Sequence, residues 1–421
     1  MAWIPISPEK LKVGLYIKLD HKWTEYPFLR NKFKITSTME ISVIRKNGLT
    51  KIFYDPNLSD PKSLLNLDAS IPLIKEDVAE VEKADSALRS LKEEKIKTIL
   101  THQESLKHTE QAFDESVQEG RLMLRMITAG QPEGLALATQ QVESLIDLME
   151  NQSVAISFVN MMKPADIADE LCMHAVTMAN LSLLVGKNLA LNQEDLKNLG
   201  VGARLYNIGL TRIPQTVRMK KEPLTSAERS LMELYPQWGR EMAREIPGMT
   251  PDTLKIIHQH QENVDGSGYP QGLKGDATGL LPKIVRVVTE YHALLHNRTE
   301  SGERTPTEAL AYLYSKMKGK CAPNIVESFI ATVTVYPPGT LVRLTDENIG
   351  LVVKSNEHDR MRPLIMIYES GVSRDETTIL DLSMEKECAI RESLNPSRVD
   401  PHILSSLTPG AITGYLITPI P

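Results

Sequence analysis

The chain has 421 residues, 41% hydrophobic and 24% charged but only 5% aromatic, with a formal net charge of -6. This composition fits two or three folded domains with aliphatic cores and excludes a low-complexity chain. No long run of Lys and Arg supplies the electrostatic footprint of a nucleic-acid binder, and three scattered cysteines, Cys172, Cys321 and Cys388, have no CxxC spacing for a zinc site or a disulfide framework.

The N-terminus has neither a basic region nor an apolar core of a leader, and no apolar stretch reaches membrane-spanning length. A soluble cytoplasmic protein is expected. Residues 1–65 hold short β-rich runs, Val13 to Leu19, Phe33 to Thr36 and Thr50 to Tyr54, broken by Gly14, Pro27, Gly48 and Pro56. They predict a small α+β domain.

Residues 66–128 turn charged and helical, with Val81, Leu88, Leu91, Ile96, Ile99, Leu106 and Phe113 on a drifting apolar stripe. The stripe predicts a helical connector, either packed on its own domain or pairing two chains as a homodimer, and the heptad slip at Lys95 does not decide between them. Residues 129–335 alternate apolar helical stretches with breaker and cap signals at Asn192, Pro214, Thr225, Pro247, Thr250 and Pro306, which predicts an all-α domain. Residues 336–421 carry β-rich segments, Thr340 to Leu344, Ile349 to Val353 and Leu364 to Tyr368, and predict a small β-rich module. The whole is a multidomain, mainly α chain.

The most informative string is Asp265-Gly266-Ser267-Gly268-Tyr269-Pro270, then Gly272 and Leu273. Its glycines and proline fix a turn that approaches other backbone closely, and Tyr269 offers a surface for stacking or partner contact. Directly before it stand His258, His260 and Glu262. Upstream lie Glu170 and His174 at helical i,i+4 spacing, then Tyr206-Asn207-Ile208-Gly209, and Tyr235-Pro236 through Gly239. Downstream come Arg286 to Leu294, Arg298, and Tyr336-Pro337-Pro338-Gly339.

In this order the strings resemble the HD-GYP family of cyclic di-GMP phosphodiesterases, and the first segment resembles the small uncharacterised domain often found before it. The resemblance implies an HD-type helical domain in which His, Asp and Glu hold two or three iron or manganese ions that activate water toward the phosphodiester. Several of those positions are changed here. Tyr206 and Asn207 stand at the His-Asp pair, Leu210 at the following lysine, Tyr235 and Gln261 at ligand histidines and Thr289 at a late aspartate. Phenols and neutral amides are poor substitutes for imidazole and bridging carboxylate.

Glu170, His174 and His260 remain as metal-ligand candidates, for which the expectation is no cofactor or, alternatively, one weakly held iron or manganese. Read on residues alone, His174 is as well explained by a hydrogen-bonded helix-face histidine, and His102, His108, His292 and His296 by solvated or capping ones. His358-Asp359 is a literal His-Asp pair placed in a polar loop of the β-rich module. Arg298 fills the place of a phosphate-contacting arginine, while the basic residue after it is Ser301.

These substitutions lead to the expectation of a degenerate, non-catalytic signalling protein that is not an enzyme. It would bind a protein partner such as a diguanylate cyclase, or cyclic di-GMP, through Asp265, Gly266, Gly268, Tyr269, Pro270 and Arg298. The alternative is a residual metal-dependent phosphodiesterase.

Overall fold

The computed structural model describes residues 3–21, 25–28, 31–65, 78–149, 167–218, 220, 222–296, 304–356, 358–369, 377, 379–385 and 388–407. The chain divides into two compact units, Met1–Glu104 with Gly371–Ile379, and Ser105–Ser370 with Leu380–Pro421.

In the first unit, β1 (Ile4–Ile6), β2 (Tyr16–Leu19), β3 (Lys32–Lys34) and β4 (Ile52–Tyr54) form an antiparallel sheet in the order β1-β4-β2-β3. Helix α1 (Thr38–Lys46) starts at a capping box: Ser37 Oγ accepts from Glu40 N, and Glu40 accepts in return from Ser37 N. Leu11, Leu15, Ile17, Ile35, Val43, Ile44 and Ile52 are its buried core.

The connector is one helix, α2 (Val78–Thr128). Val81 belongs to the core of the first unit, and Ala84 and Leu88 pack against that core, whereas Leu91 is 51% exposed. The stripe's opening turns therefore cover their own domain. Asp85 fixes this docking by accepting from Asn47 Nδ2 at 2.9 Å and pairing with Arg89 and Lys46. The side chains of Ile96, Ile99, Leu106 and Phe113 lie outside the described residues.

The second unit is mainly helical. The end of α2 puts Met123 and Ile127 into a core shared with α3 (Glu133–Leu148), α4 (Ile167–Asn188), α5 (Gln193–Leu205), α8 (Tyr235–Arg244), α9 (Pro251–Gln259), α10 (Leu280–His296), α11 (Pro306–Lys316) and α12 (Pro323–Val333), with α6 (Gln215–Arg218) and α7 (Ser226–Met232) between α5 and α8. The expected caps act as caps: Asn192 accepts from Asp195 N, Thr225 from Glu228 N and Thr250 from Thr253 N. After the helices, strands β5 (Leu341–Leu344), β6 (Ile349–Lys354), β7 (Leu364–Ile367), β8 (Ile379–Asp381) and β9 (Ile390–Ser393) form a sheet in the order β8-β7-β6-β5-β9, and a short α13 (Pro401–Leu407) follows. The mainly helical fold with small sheets at both ends matches the sequence expectation.

Candidate functional site

Helix α5 ends at Tyr206, and the chain then tightens into a 3-10 turn, Ile208–Arg212. That turn lies so close to the start of α8 that a Cβ on Gly209 would sit 1.9 Å from Tyr235 O. Glycine is the side chain this approach admits. Tyr235 is thereby delivered to His260, which caps the end of α9 and is 0% exposed.

The hydrogen bonds assign the tautomer of His260 and the direction of the Tyr235 hydroxyl. Nδ1 of His260 lies 2.9 Å from Ile257 O, and a carbonyl can only accept, so Nδ1 carries the hydrogen. Nε2 must then accept, and the Tyr235 hydroxyl donates to it at 2.6 Å. Gln261 Nε2 donates in turn to the Tyr235 oxygen at 2.9 Å. The Tyr206 ring stands edge-on to the imidazole, with centroids 5.0 Å apart at 86°. Burial pushes the His260 pKa down to about 3 against the opposing pull of its carbonyl partners, and raises the phenols of Tyr206 and Tyr235 above their usual range. The group is neutral.

The fit to a transition metal follows from this arrangement. The one imidazole lone pair that a cation would use is held by a phenol, and the nitrogen behind it is committed to backbone. Asn207 is buried with Nδ2 donating to Leu171 O at 3.3 Å, and Thr289 turns its hydroxyl back on Arg286 O of its own helix. Among the described residues no group of three or more His, Cys, Asp or Glu gathers. These residues do not fit a metal centre at His260. Leu210, in the 3-10 turn, is partly exposed.

His174 is brought to a different place. Its ring meets His292 edge-on at 4.3 Å between centroids, and His292 is buried, not solvated as its sequence context suggested, because α10 turns it into the face of α4. The Glu170 side chain lies outside the described residues, as do Arg298 and Ser301 and the side chains of His102, His108 and His296. His358 and Asp359 sit exposed in a loop, their backbone N–H groups donating to Asn356 Oδ1.

The loop after His260 is held from inside. Buried Glu262 accepts from Gln271 N at 2.7 Å and Leu273 N at 2.9 Å, so one carboxylate pins the far side of the turn. A Cβ on Gly268 would lie 2.3 Å from Asn263 N and 2.4 Å from Gln261 O. Arg286 donates through Nε to Asn263 Oδ1 and pairs with Glu290 at 2.8 Å, tying the loop to α10. Tyr269, expected to offer a surface for stacking or partner contact, is half-buried with its ring 6.5 Å from Tyr235, and burial pushes its phenol up to about 12. Asp265, Ser267, Gln271 and Gly272 form the exposed surface, while Gly266 and Pro270 are partly covered. Glu262 and Arg286 were visible in the sequence only as members of matching strings; their clamping roles need the folded loop.

Family models match the two parts of the chain separately: an HD domain over residues 151–325, and a domain of unknown function, DUF3391, over residues 4–137. A relative of Pseudomonas aeruginosa named cyclic di-GMP phosphodiesterase PA4108 is 23% identical over 377 residues, covering 88% of this chain and 86% of its own. The cyclic di-GMP phosphodiesterase response regulator RpfG of Xanthomonas campestris is 32% identical over 36% of this chain and 41% of its own, and the cyclic di-GMP phosphodiesterase PdeB of Borreliella burgdorferi is 24% identical over 54% and 60%. The expectation that the chain is not an enzyme is corrected by these relatives, which are named as hydrolases, because replaced ligand positions do not by themselves remove a chain from a catalytic class. The chain carries an HD domain preceded by a DUF3391 domain and is homologous to the cyclic di-GMP phosphodiesterases of the HD-GYP family.

Proposed function

We propose that the protein serves cyclic di-GMP signalling by binding, with cyclic di-GMP as the ligand of the face formed by Tyr206, Gln261 and Tyr269. The observation that carries this reading is the Tyr235–His260–Gln261 chain of hydrogen bonds. A closed, neutral hydrogen-bond chain flanked by aromatic rings stands where a metal site would present open lone pairs. Rings stack on purine faces, and amides and phenols read their edges. The exposed Asp265, Ser267 and Gln271 of the adjoining loop suit contact with a protein of the same pathway, such as a diguanylate cyclase.

Hydrolysis of a cyclic dinucleotide is the second reading, favoured by the names of the relatives. Titration calorimetry of the full chain with cyclic di-GMP, followed by chromatography of the nucleotide with and without added manganese, tests both. Saturable binding weakened by Gln261→Ala and Tyr206→Ala supports the first reading; absence of binding refutes it. Linear product formation establishes the second.

A further inference from the structure

Beside the loop, α11 and α12 enclose a cavity of about 160 Å³ lined by Leu313, Tyr314, Met317, Cys321, Pro323 and Val326, with Lys318 and Glu327 at its mouth. The floor is apolar: Leu313, Met317, Cys321 and Val326 are each less than a tenth exposed. Burial pushes the Cys321 thiol up to about 11, so the floor carries no charge at neutral pH. Tyr314 stands over it at 64% exposure, an unusual position for an aromatic ring that packing does not require. A space of this size takes one aromatic ring or branched aliphatic side chain.

The rim is rich in lysine. Tyr314 to Lys320 reads Tyr-Ser-Lys-Met-Lys-Gly-Lys, with Lys316, Lys318 and Lys320 exposed and no acid among them, in a chain whose net charge is -6. Glu327 is the acidic group of the lining. The turn that carries these lysines is fixed in place: Val264 N donates to Lys320 O at 2.9 Å, and Lys318 bridges to Cys321. The lysines are therefore presented by a rigid edge continuous with the loop at Asp265.

We propose that this groove docks an acidic, amphipathic segment of a partner protein, one apolar side chain entering the cavity against Tyr314 and flanking carboxylates meeting Lys316, Lys318 and Lys320. The complementarity is of both kinds that such grooves use, an apolar anchor for affinity and a mainly basic rim, with Glu327 as its acidic lining group, for orientation and encounter rate. The inference goes beyond nucleotide recognition and stands whether or not cyclic di-GMP binds at the Tyr206 face.

The test uses the full chain and three fluorescein-labelled peptides of about fifteen residues: one with Glu and Asp around a Leu and a Trp one helical turn apart, a twin with every acid changed to Lys, and an acidic twin with Leu and Trp changed to Ser. Fluorescence anisotropy should show saturable binding of the first alone. That binding should weaken about tenfold on raising salt from low to physiological strength and beyond, at least about tenfold in the triple variant Lys316→Glu, Lys318→Glu, Lys320→Glu, and several-fold in Tyr314→Ser. Lys354→Glu, the same charge change on β6, should leave it unchanged. A triple Lys→Gln variant gives an intermediate loss and guards against misfolding of the reversed one. No binding, equal binding of the basic twin, indifference to the lysine variants, equal competition by a single-stranded oligonucleotide, or displacement of the peptide by self-association of the chain would each overturn the proposal.

Discussion

The loop from Glu262 to Leu273 and the pocket around His260 are neighbours in sequence, yet they are specified by different physics. The loop depends on shape: Gly268 has no room for a Cβ, and one buried carboxylate reaches two backbone amides across the turn. The pocket depends on polar pairing: Tyr235 donates to His260 and accepts from Gln261, His260 donates to Ile257 O, and the set stays neutral. The comparison teaches that the loop's form does not require the pocket's charge. A loop fixed by backbone contacts stands beside a pocket whose chemistry is hydrogen bonding.

The largest expected effect falls on the loop. Gly268→Ala should cost about 3 kcal/mol in urea unfolding, because its new methyl meets backbone that cannot step aside; a cost below about 1 kcal/mol would show the loop is soft and weaken the contrast. Next comes the pocket. Tyr235→Phe removes the donor to Nε2 and should cost about 2 kcal/mol, the penalty for an orphaned buried acceptor, while leaving the loop's amide protection intact. Equal loss of protection at Gln271 and Leu273 would mean the two regions are one unit.

The pH dependence follows with a definite sign. His260 has a folded pKa depressed to about 3 from the ordinary 6.5, so the unfolded chain takes up a proton between those values that the folded chain refuses. Its contribution is present above pH 6.5 and lost as pH falls, at up to about 1.4 kcal/mol per pH unit. The stability advantage of the native chain over His260→Gln should narrow accordingly between pH 6.5 and 5; parallel curves would refute the neutral imidazole.

The smallest effects concern the connector. Leu88→Lys should cost about 1 kcal/mol because Leu88 packs on the first domain's core, whereas Leu91→Lys, at an exposed position, should change stability by less than about 0.5 kcal/mol. Light scattering of Leu91→Lys then reports on chain pairing without the confusion of a damaged domain.

Much of the fold was legible because periodicity and caps are local. The runs ending at Leu19, Tyr54 and Leu344 are strands β2, β4 and β5, and Asn192, Thr225 and Thr250 cap the helices they precede. Strands β1, β8 and β9 were not: Pro5 sits inside β1 and argues against a strand, and β8 and β9 lack an apolar run as long as those of β6 and β7. In the site, the sequence named Tyr235 and Gln261 as substitutions and His260 as a remaining ligand candidate, but not that Tyr235 would donate to His260 and accept from Gln261. It read Tyr269 as a surface for stacking or partner contact, but not as a ring that would also pack near Tyr235. His292 was misjudged for a similar reason, since its burial depends on α4 lying across α10.

The central claim is that Nε2 of His260 is taken by the Tyr235 hydroxyl, and imidazole nitrogen NMR on histidine-labelled protein tests it most directly. The account expects the His260 signals of a neutral ring with hydrogen on Nδ1 and an accepting Nε2, unchanged by one equivalent of zinc. A hydrogen on Nε2, or an Nε2 resonance that moves stoichiometrically with zinc, would contradict it.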